Sequence, residues 1–372
     1  MSVAIQAAKA NLDRHIREEI LPWHFSDKTG CPFWLEMRKT LDFDPLKLTG
    51  LADVVKYFGP FDASVLKTRL VPDEEWIPRG FAGEPWSKFV TGGTTGDPSG
   101  RYDRIGDRSP EESDYARDYY KFSAYLGYDG FPMGGKWGYI GPDASRRLPR
   151  GVEILARLRR AGFIKCETMD VVWLKNKLHK DAVFIYRDEC VQRAVSFIQH
   201  VKPVSLFCPP IMIMQIAKFI DWTTTSVKGV FAGGTEMTPE MVRHINVELF
   251  QGKIRLAPAF GNALVGLAVP RKISTPTNPI PGCLAWGLTY QAFEPHTVFR
   301  ITKLDDMKTE VQPGERGRLE ISTFTKGFFM PCNADRDEAD CVAPTEDYPW
   351  VGAAQIAPTP GAGGVAGTAG VY

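Results

Sequence analysis

Charge of one sign is in no surplus here: 45 Lys and Arg face 44 Asp and Glu, for a formal net charge of +1. That balance argues against a nucleic-acid footprint or a polybasic membrane contact. No apolar run is long enough to span a bilayer. Residues 1–19 carry charges from Lys9 onward and lack the apolar core of a signal peptide. A cytoplasmic protein that meets neither nucleic acid nor membrane is therefore expected. The seven cysteines are odd in number and form no Cys-x-x-Cys, so neither a zinc ribbon nor a redox pair is supported. Buried, reduced thiols are the expectation. His244 and His296 stand apart from any set with zinc-ligand spacing, and read as surface or core histidines.

What is present is a run of glycine and threonine. Positions 91–98 read Thr-Gly-Gly-Thr-Thr-Gly-Asp-Pro, with three glycines and three threonines in the first six. Such a segment brings backbone amides close to a ligand, and successive amides form an anion-binding concavity. Thr94 and Thr95 add hydroxyls. A polyphosphate suits this chemistry. Gly96 is followed by Asp97 where a Walker loop needs lysine, and no Gly-x-Gly-x-x-Gly opens a helix after a strand. A P-loop NTPase and a dinucleotide fold are both set aside.

The flanking patterns predict an α/β chain in three parts. Residues 1–85 are helical and loop-rich, 86–282 alternate helices with short apolar strands, and 283–350 are β-rich. Ser109, Pro110 and Glu112 predict the start of a helix that carries Tyr115, Tyr119, Phe122 and Leu126 and stops at Gly127. Strands at 204–208, 227–232 and 254–257, with helices between them, predict a parallel sheet whose loops meet ligands on one rim. Residues 353–372 are rich in Ala, Gly and Pro and predict a flexible tail that packs on nothing.

The sequence resembles the adenylate-forming superfamily of acyl-CoA synthetases, adenylation domains and luciferases, and in particular its phenylacetate–CoA ligase branch. Thr91–Pro98 matches that family's phosphate loop. The 230–241 segment, the Ala259-Phe260-Gly261-Asn262-Ala263-Leu264 run, the Gly314–Leu319 turn and the Asp335–Ala339 stretch then match further motifs in the family's order. The resemblance covers about residues 85–350. It implies the large N-terminal domain of that fold, with parallel sheets, packed helices and a β-barrel-like part, and without the small C-terminal domain. It further implies ATP, with AMP as product, and Mg²⁺.

By this resemblance Thr91, Gly92, Gly93, Thr94, Thr95 and Gly96 would hold phosphates. Gly233, Gly234 and Thr235 would lie against adenine, with Phe260 and Gly261 on its other face. Asp337, or its rival Asp335, would hold the ribose. The Tyr128–Gly141 stretch is rich in glycine and aromatics, and Lys136, Trp137 and Tyr139, with Ala263 and Gly266, would line an acyl pocket; a connector packed on the core is the alternative. A wide planar aromatic acid fits these small residues, and a likeness to truncated adenylating proteins of phenazine antibiotic biosynthesis implies a phenazine carboxylate. Two departures stand out. The family's Thr/Ser-Glu pair is Ala263-Leu264 here, so the carboxylate that helps hold Mg²⁺ is replaced, with Glu236 or Glu240 as candidate substitutes. The family's C-terminal lysine domain has no counterpart after Trp350. The expected activity is thus the first half-reaction, giving an acyl-adenylate for a separate reductase or acceptor enzyme. A non-catalytic nucleotide or aromatic-acid binder is the alternative, and a homodimer is compatible with either.

Overall fold

The computed structural model describes residues 2–66, 73–91, 99–104, 109, 113–141, 147–166, 180–264, 266–279 and 284–359, without the side chains of 115, 180–183, 335 and 336. Its N-terminal part is helical. α1 (Val3–His15) continues through a π turn (Ile16–Ile20) into α2 (Leu21–His24), followed by α3 (Pro32–Arg38) and α4 (Leu51–Phe58). Leu12, Ile16, Ile20, Phe25 and Trp34 are buried from these helices against Leu319, Ile321, Phe324 and Phe329. The Trp34 indole donates to the Phe329 carbonyl at 3.1 Å. An aromatic-rich segment with no strand pattern of its own thus gains stability by covering a sheet.

Two buried histidines tie these helices down. His15 Nε2 lies 2.9 Å from the Phe324 carbonyl oxygen and His24 Nε2 2.7 Å from that of Thr325. Each bonded ring nitrogen must therefore carry hydrogen. His24 Nδ1 is buried without a partner. Protonation would place an N–H there with nothing to accept it, and burial lowers the His24 pKa from 6.5 to about 4. A depressed histidine stabilises the fold above its unfolded pKa, and that contribution is lost as pH falls from 6.5 towards 4. At about 1.4 kcal/mol per unit, about 3 kcal/mol is expected to go over this window. Urea midpoints at pH 7 and pH 4.5 check this against a His24→Gln variant. An identical pH dependence in both proteins would remove His24 as the cause.

The α/β part begins with an antiparallel hairpin, β1 (Trp86–Val90) and β2 (Gly100–Arg104). α5 (Asp114–Tyr128) follows, capped by Ser113, whose hydroxyl accepts from the Ala116 amide at 3.0 Å. The start expected at Ser109 thus moves to Ser113, and the helix runs through Gly127 rather than stopping there. β3 (Lys136–Tyr139), α6 (Arg147–Leu158), β4 (Gly162–Lys165), α7 (Lys180–Val201), β5 (Ser205–Phe207), α8 (Pro210–Ile216), β6 (Gly229–Ala232), α9 (Pro239–Arg243) and β7 (Arg255–Pro258) complete this part. The five strands are parallel, in the order β4-β3-β5-β6-β7. Their pleat divides the core. Leu206 and Val230 face one hydrophobic cluster with α7, while Trp137, Tyr139, Phe207 and Phe231 face another with α5 and α6.

The last sheet is antiparallel. β8 (Phe260–Asn262), β9 (Gly266–Pro270), β10 (Thr289–Ala292), β11 (Thr297–Thr302), β12 (Arg316–Phe324), β13 (Phe329–Val342) and β14 (Gly352–Pro358) take the order β11-β12-β13-β14-β10-β9-β8. This sheet draws β8 and β9 from before residue 282 and the rest from after 283, so it crosses the expected boundary between parts. The expected tail is corrected over its first residues, while 360–372 lie outside the described residues. Residues 352–358 form a strand inserted between β13 and β10, with Ala353 and Ala354 buried. Small side chains read as a lack of core, yet they are what an inner strand in a crowded sheet accepts.

Six cysteines, at 31, 166, 190, 208, 332 and 341, are free and buried. Among the described residues no helix is long and apolar enough to cross a membrane.

Candidate nucleotide site

The Gly/Thr loop is the connection of the β1–β2 hairpin. Its stem is closed by the Thr91 amide donating to the Ser99 carbonyl at 2.9 Å and the Ser99 amide donating to the Thr91 hydroxyl at 3.0 Å. Thr91 therefore serves the stem. Gly92, Gly93, Thr94, Thr95 and Gly96 lie outside the described residues.

The predicted adenine segments do converge. β6 and β7 are parallel neighbours, so the residues leaving their carboxyl ends emerge side by side on the rim where open α/β sheets bind ligands. The Ala259 amide donates to the Ala232 carbonyl at 2.8 Å, joining the two loops. A Cβ built on Gly233 would stand 3.1 Å from the Ala259 carbonyl oxygen. Gly234 has φ of +92°, a left-handed turn that lets the chain bend back over the rim. The Thr235 hydroxyl is buried without a hydrogen-bond partner. An orphaned donor of this kind costs about 1–3 kcal/mol unless something fills it. Phe260 is half-buried. Its ring lies 5.8 Å from Tyr290 and 6.2 Å from Phe299, centroid to centroid.

Other predicted residues lie on other elements. Asp337 is on β13 opposite Pro358, and β14, β10 and β9 separate that strand from the β8 that carries Phe260. Four strand spacings amount to about 19 Å along a flat sheet, but this sheet curls, since Phe260 on edge strand β8 meets Phe299 on the opposite edge strand β11. Asp335 shares the strand, with its side chain outside the description. The pocket residues are corrected. Trp137 is fully buried and stacks on Phe131 at 5.5 Å, and Tyr139 is fully buried and stacks on Phe207 at 5.1 Å. Both rings are core of the parallel sheet. Lys136 is exposed at the strand's start and donates to the Val201 carbonyl at 2.9 Å. β3 carries no continuous apolar run, because Gly138 interrupts it. A cavity of about 580 Å³ instead opens among Pro32, Ile77, Phe81 and Trp86, apart from the glycine rim. Ala263 is buried, and so is Leu264, at 6 % exposure in the apolar cluster beneath the N-terminal helices.

Leu264 decides whether Mg²⁺ fits at this position. It offers an alkyl group where a carboxylate is required. Among the described residues no cluster of His, Cys, Asp or Glu could hold a metal. The residues at this position do not fit a protein-held Mg²⁺.

A network of buried charges lies against the turn between β8 and β9. Arg101 and Asp103 on β2, Asp114 and Asp118 on α5 and Arg147 on α6 are each at most 6 % exposed. Arg101 Nη2 pairs with Asp114 at 3.1 Å and Arg147 Nη2 with Asp103 at 3.0 Å. Arg117 joins through Asp114 at 3.0 Å and Asp118 at 3.6 Å. Three cations face three anions. Burial raises the Asp103 pKa against the pull of Arg147 and Arg101. Burial pushes the Asp114 carboxyl the same way, but Arg117, Arg101 and the Thr325 hydroxyl outweigh it and hold that carboxyl well below the usual range. Gly266 is packed against this cluster. Its φ is +80°, and a Cβ there would overlap Asp118 Oδ2 at 2.1 Å. The signal in the sequence was the 101/103 alternation and the 114/117/118 spacing, each of which puts charge on one face of its element.

No protein-family model and no curated protein matches the sequence. Solved structures do match. A 2-hydroxyisobutyryl-CoA ligase in complex with 2-HIB-AMP and CoA, in its thioesterification state, aligns with a TM-score of 0.65 and 13% identity over 95% of this chain and 67% of its own. An open conformation of that enzyme gives 0.61 and 14% over 92% and 71%. This chain has the fold of the N-terminal domain of adenylate-forming ligases. A postadenylation state with R3-HIB-AMP aligns at 0.59 and 12% identity over 94% of this chain and 65% of that one. The chain spans about two thirds of the length of these ligases.

Proposed function

We propose that this chain binds ATP across the rim formed by β6, β7 and the Gly/Thr loop, and uses it to adenylate an aromatic carboxylate. The observation that carries this reading is the rim itself, where Gly233, Gly234 and the unpartnered Thr235 hydroxyl stand beside Ala259-Phe260 in a fold shared with a ligase solved with an acyl-AMP. In the reaction a carboxylate oxygen attacks the α-phosphorus of ATP. The bond from that phosphorus to the bridging oxygen breaks, and pyrophosphate leaves. Backbone amides of the Gly/Thr loop would stabilise charge on the departing phosphates, and the rim would hold adenine so that the α-phosphorus is kept in place for the attack. A phenazine carboxylate is the proposed acid, and a separate reductase or acceptor enzyme is the proposed recipient of the adenylate.

A second reading, binding without turnover, is favoured by buried Leu264. Pyrophosphate exchange with Mg²⁺ in the buffer, over a panel of aromatic acids including phenazine carboxylates, separates the two. Exchange with a planar acid supports adenylation. No exchange with any acid, alongside retained AMP binding, leaves the binding reading. Acyl-CoA formed by this chain with added coenzyme A would overturn hand-over to a separate acceptor.

Changing Thr94 and Thr95 together to Ala is expected to weaken ATP at least about tenfold, and AMP by less than about threefold, because the loop meets the outer phosphates. Calorimetric titrations with both nucleotides check this, and equal losses contradict the placement.

A further inference from the structure

The two ends of the antiparallel sheet meet through side chains. β8 stands at one end of the strand order and β11 at the other. The Phe260 ring on β8 lies 6.2 Å from the Phe299 ring on β11, at an interplanar angle of 72°. It lies 5.8 Å from the Tyr290 ring on β10, tilted by 46°. β9 runs between β8 and β10, so Phe260 and Tyr290 reach each other across a whole strand. The residues between them are small. Ala268 of β9 stands opposite Phe260 on one side and Ala292 of β10 on the other, while Tyr290 stands opposite Pro270 and Ala353. Residues opposite each other in an antiparallel pair share a face, as do residues two apart along a strand. Both rings therefore rise from one face and lean together over a floor of alanines, of which Ala268 and Ala292 are each 2 % exposed. Phe260 itself is half-buried, and the residue before it, Ala259, is tied to Ala232 on the rim.

We infer that Tyr290 is a positioning residue: with Phe299 it clamps the Phe260 ring over the alanine floor, and so fixes the aromatic surface that the rim offers to a nucleotide base. The inference rests on the nucleotide reading above. β8 is three residues long and lies at the end of the sheet, so its ladder to β9 is a weak anchor. A phenyl ring standing over alanines has more than one staggered rotamer open to it. Contacts on two sides, one edge-on and one tilted, hold it in one. A ring that is already still loses no freedom when a base stacks on it, and that preorganisation favours binding. Tyr290 makes the contact with its ring, so phenylalanine can replace it there and an aliphatic side chain cannot.

The test compares the wild-type chain with Tyr290→Leu and Tyr290→Phe, by hydrogen exchange without nucleotide and by titration with AMP and UMP. In Tyr290→Leu the amides of β8 are expected to exchange at least about tenfold faster, while those of β5 and β6 keep their rates. The AMP dissociation constant is expected to rise at least about tenfold. The ratio of the UMP constant to the AMP constant is expected to fall at least about threefold, because a purine gains more than a pyrimidine from stacking on a fixed ring. Tyr290→Phe is expected to stay within about twofold of wild type in all three readouts. Unchanged exchange in β8 overturns the inference. So does exchange that quickens equally everywhere, or weaker binding of both nucleotides at an unchanged ratio, since either marks Tyr290 as core packing alone. If wild-type protein binds neither nucleotide, the nucleotide reading fails, and the exchange pattern still decides whether Tyr290 clamps β8. If Tyr290→Leu does not fold, Phe299→Leu, which removes the ring on the other side, is expected to show the same local pattern, and a flat pattern there overturns the inference.

Discussion

Ending the chain after Val351 is expected to lower the melting temperature by more than about 10 °C relative to a chain ending at Thr359, which keeps β14 whole. The segment between, residues 352–358, forms the middle strand of a seven-stranded sheet, bonded to β13 on one side and β10 on the other. Its loss would split the sheet and expose two buried edges at once. Each buried backbone group left unpaired costs about 1–3 kcal/mol, and several are stranded. A total above about 5 kcal/mol is of the same order as the stability of a whole domain. At about 2 °C per kcal/mol for a chain of this size, the shift is far outside the error of a thermal melt. Equal melting temperatures for the two chains would show that the sheet does not depend on the strand.

Changing Asp103 to Ala is expected to destabilise the fold by about 3–5 kcal/mol, because it leaves three buried cations facing only two anions. Arg147 Nη2 sits 3.0 Å from Asp103, and Arg101 Nη2 4.0 Å from it. Both arginines are nearly inaccessible, so water cannot take over the role of the carboxylate. Pairing the change with Arg147→Met should restore a large part of the loss, since an apolar side chain of similar length in place of the charge removes the unmet demand. Denaturant melts of the single and double variants check both statements. A loss below about 1 kcal/mol would mean that the pair behaves like one at a solvated surface.

The parts of this protein that were legible in its sequence share a property: their signals are local. The 204–208, 227–232 and 254–257 runs became β5, β6 and β7 because short apolar segments separated by helix-length spacers leave few alternatives to a parallel sheet. Thr238 with Pro239 began a helix as expected, the threonine hydroxyl accepting from the Met241 amide at 3.3 Å. The convergence of Gly233 and Phe260 followed from that sheet, since parallel neighbours deliver their following loops to one rim.

Other features were invisible for the converse reason. The glycine-rich context of Trp137 and Tyr139 suggests a pocket, but aromatic character does not reveal which way a strand's pleat points. The placement of Ala353 and Ala354 inside the sheet depends on β10, some sixty residues earlier along the chain, and on β13. The charged cluster is assembled from β2, α5 and α6, and no one of these segments carries the pattern of a buried ion network. What the sequence by itself determined was the fold class and the parallel sheet, because backbone propensity and apolar periodicity act within a few residues. Only the tertiary structure decided that the alanine-rich end is an inner strand, that the pocket aromatics are core, and that Arg101 and its partners lie buried behind the site. Burial and countercharge are properties of neighbours in space, and the order of residues along the chain does not name them.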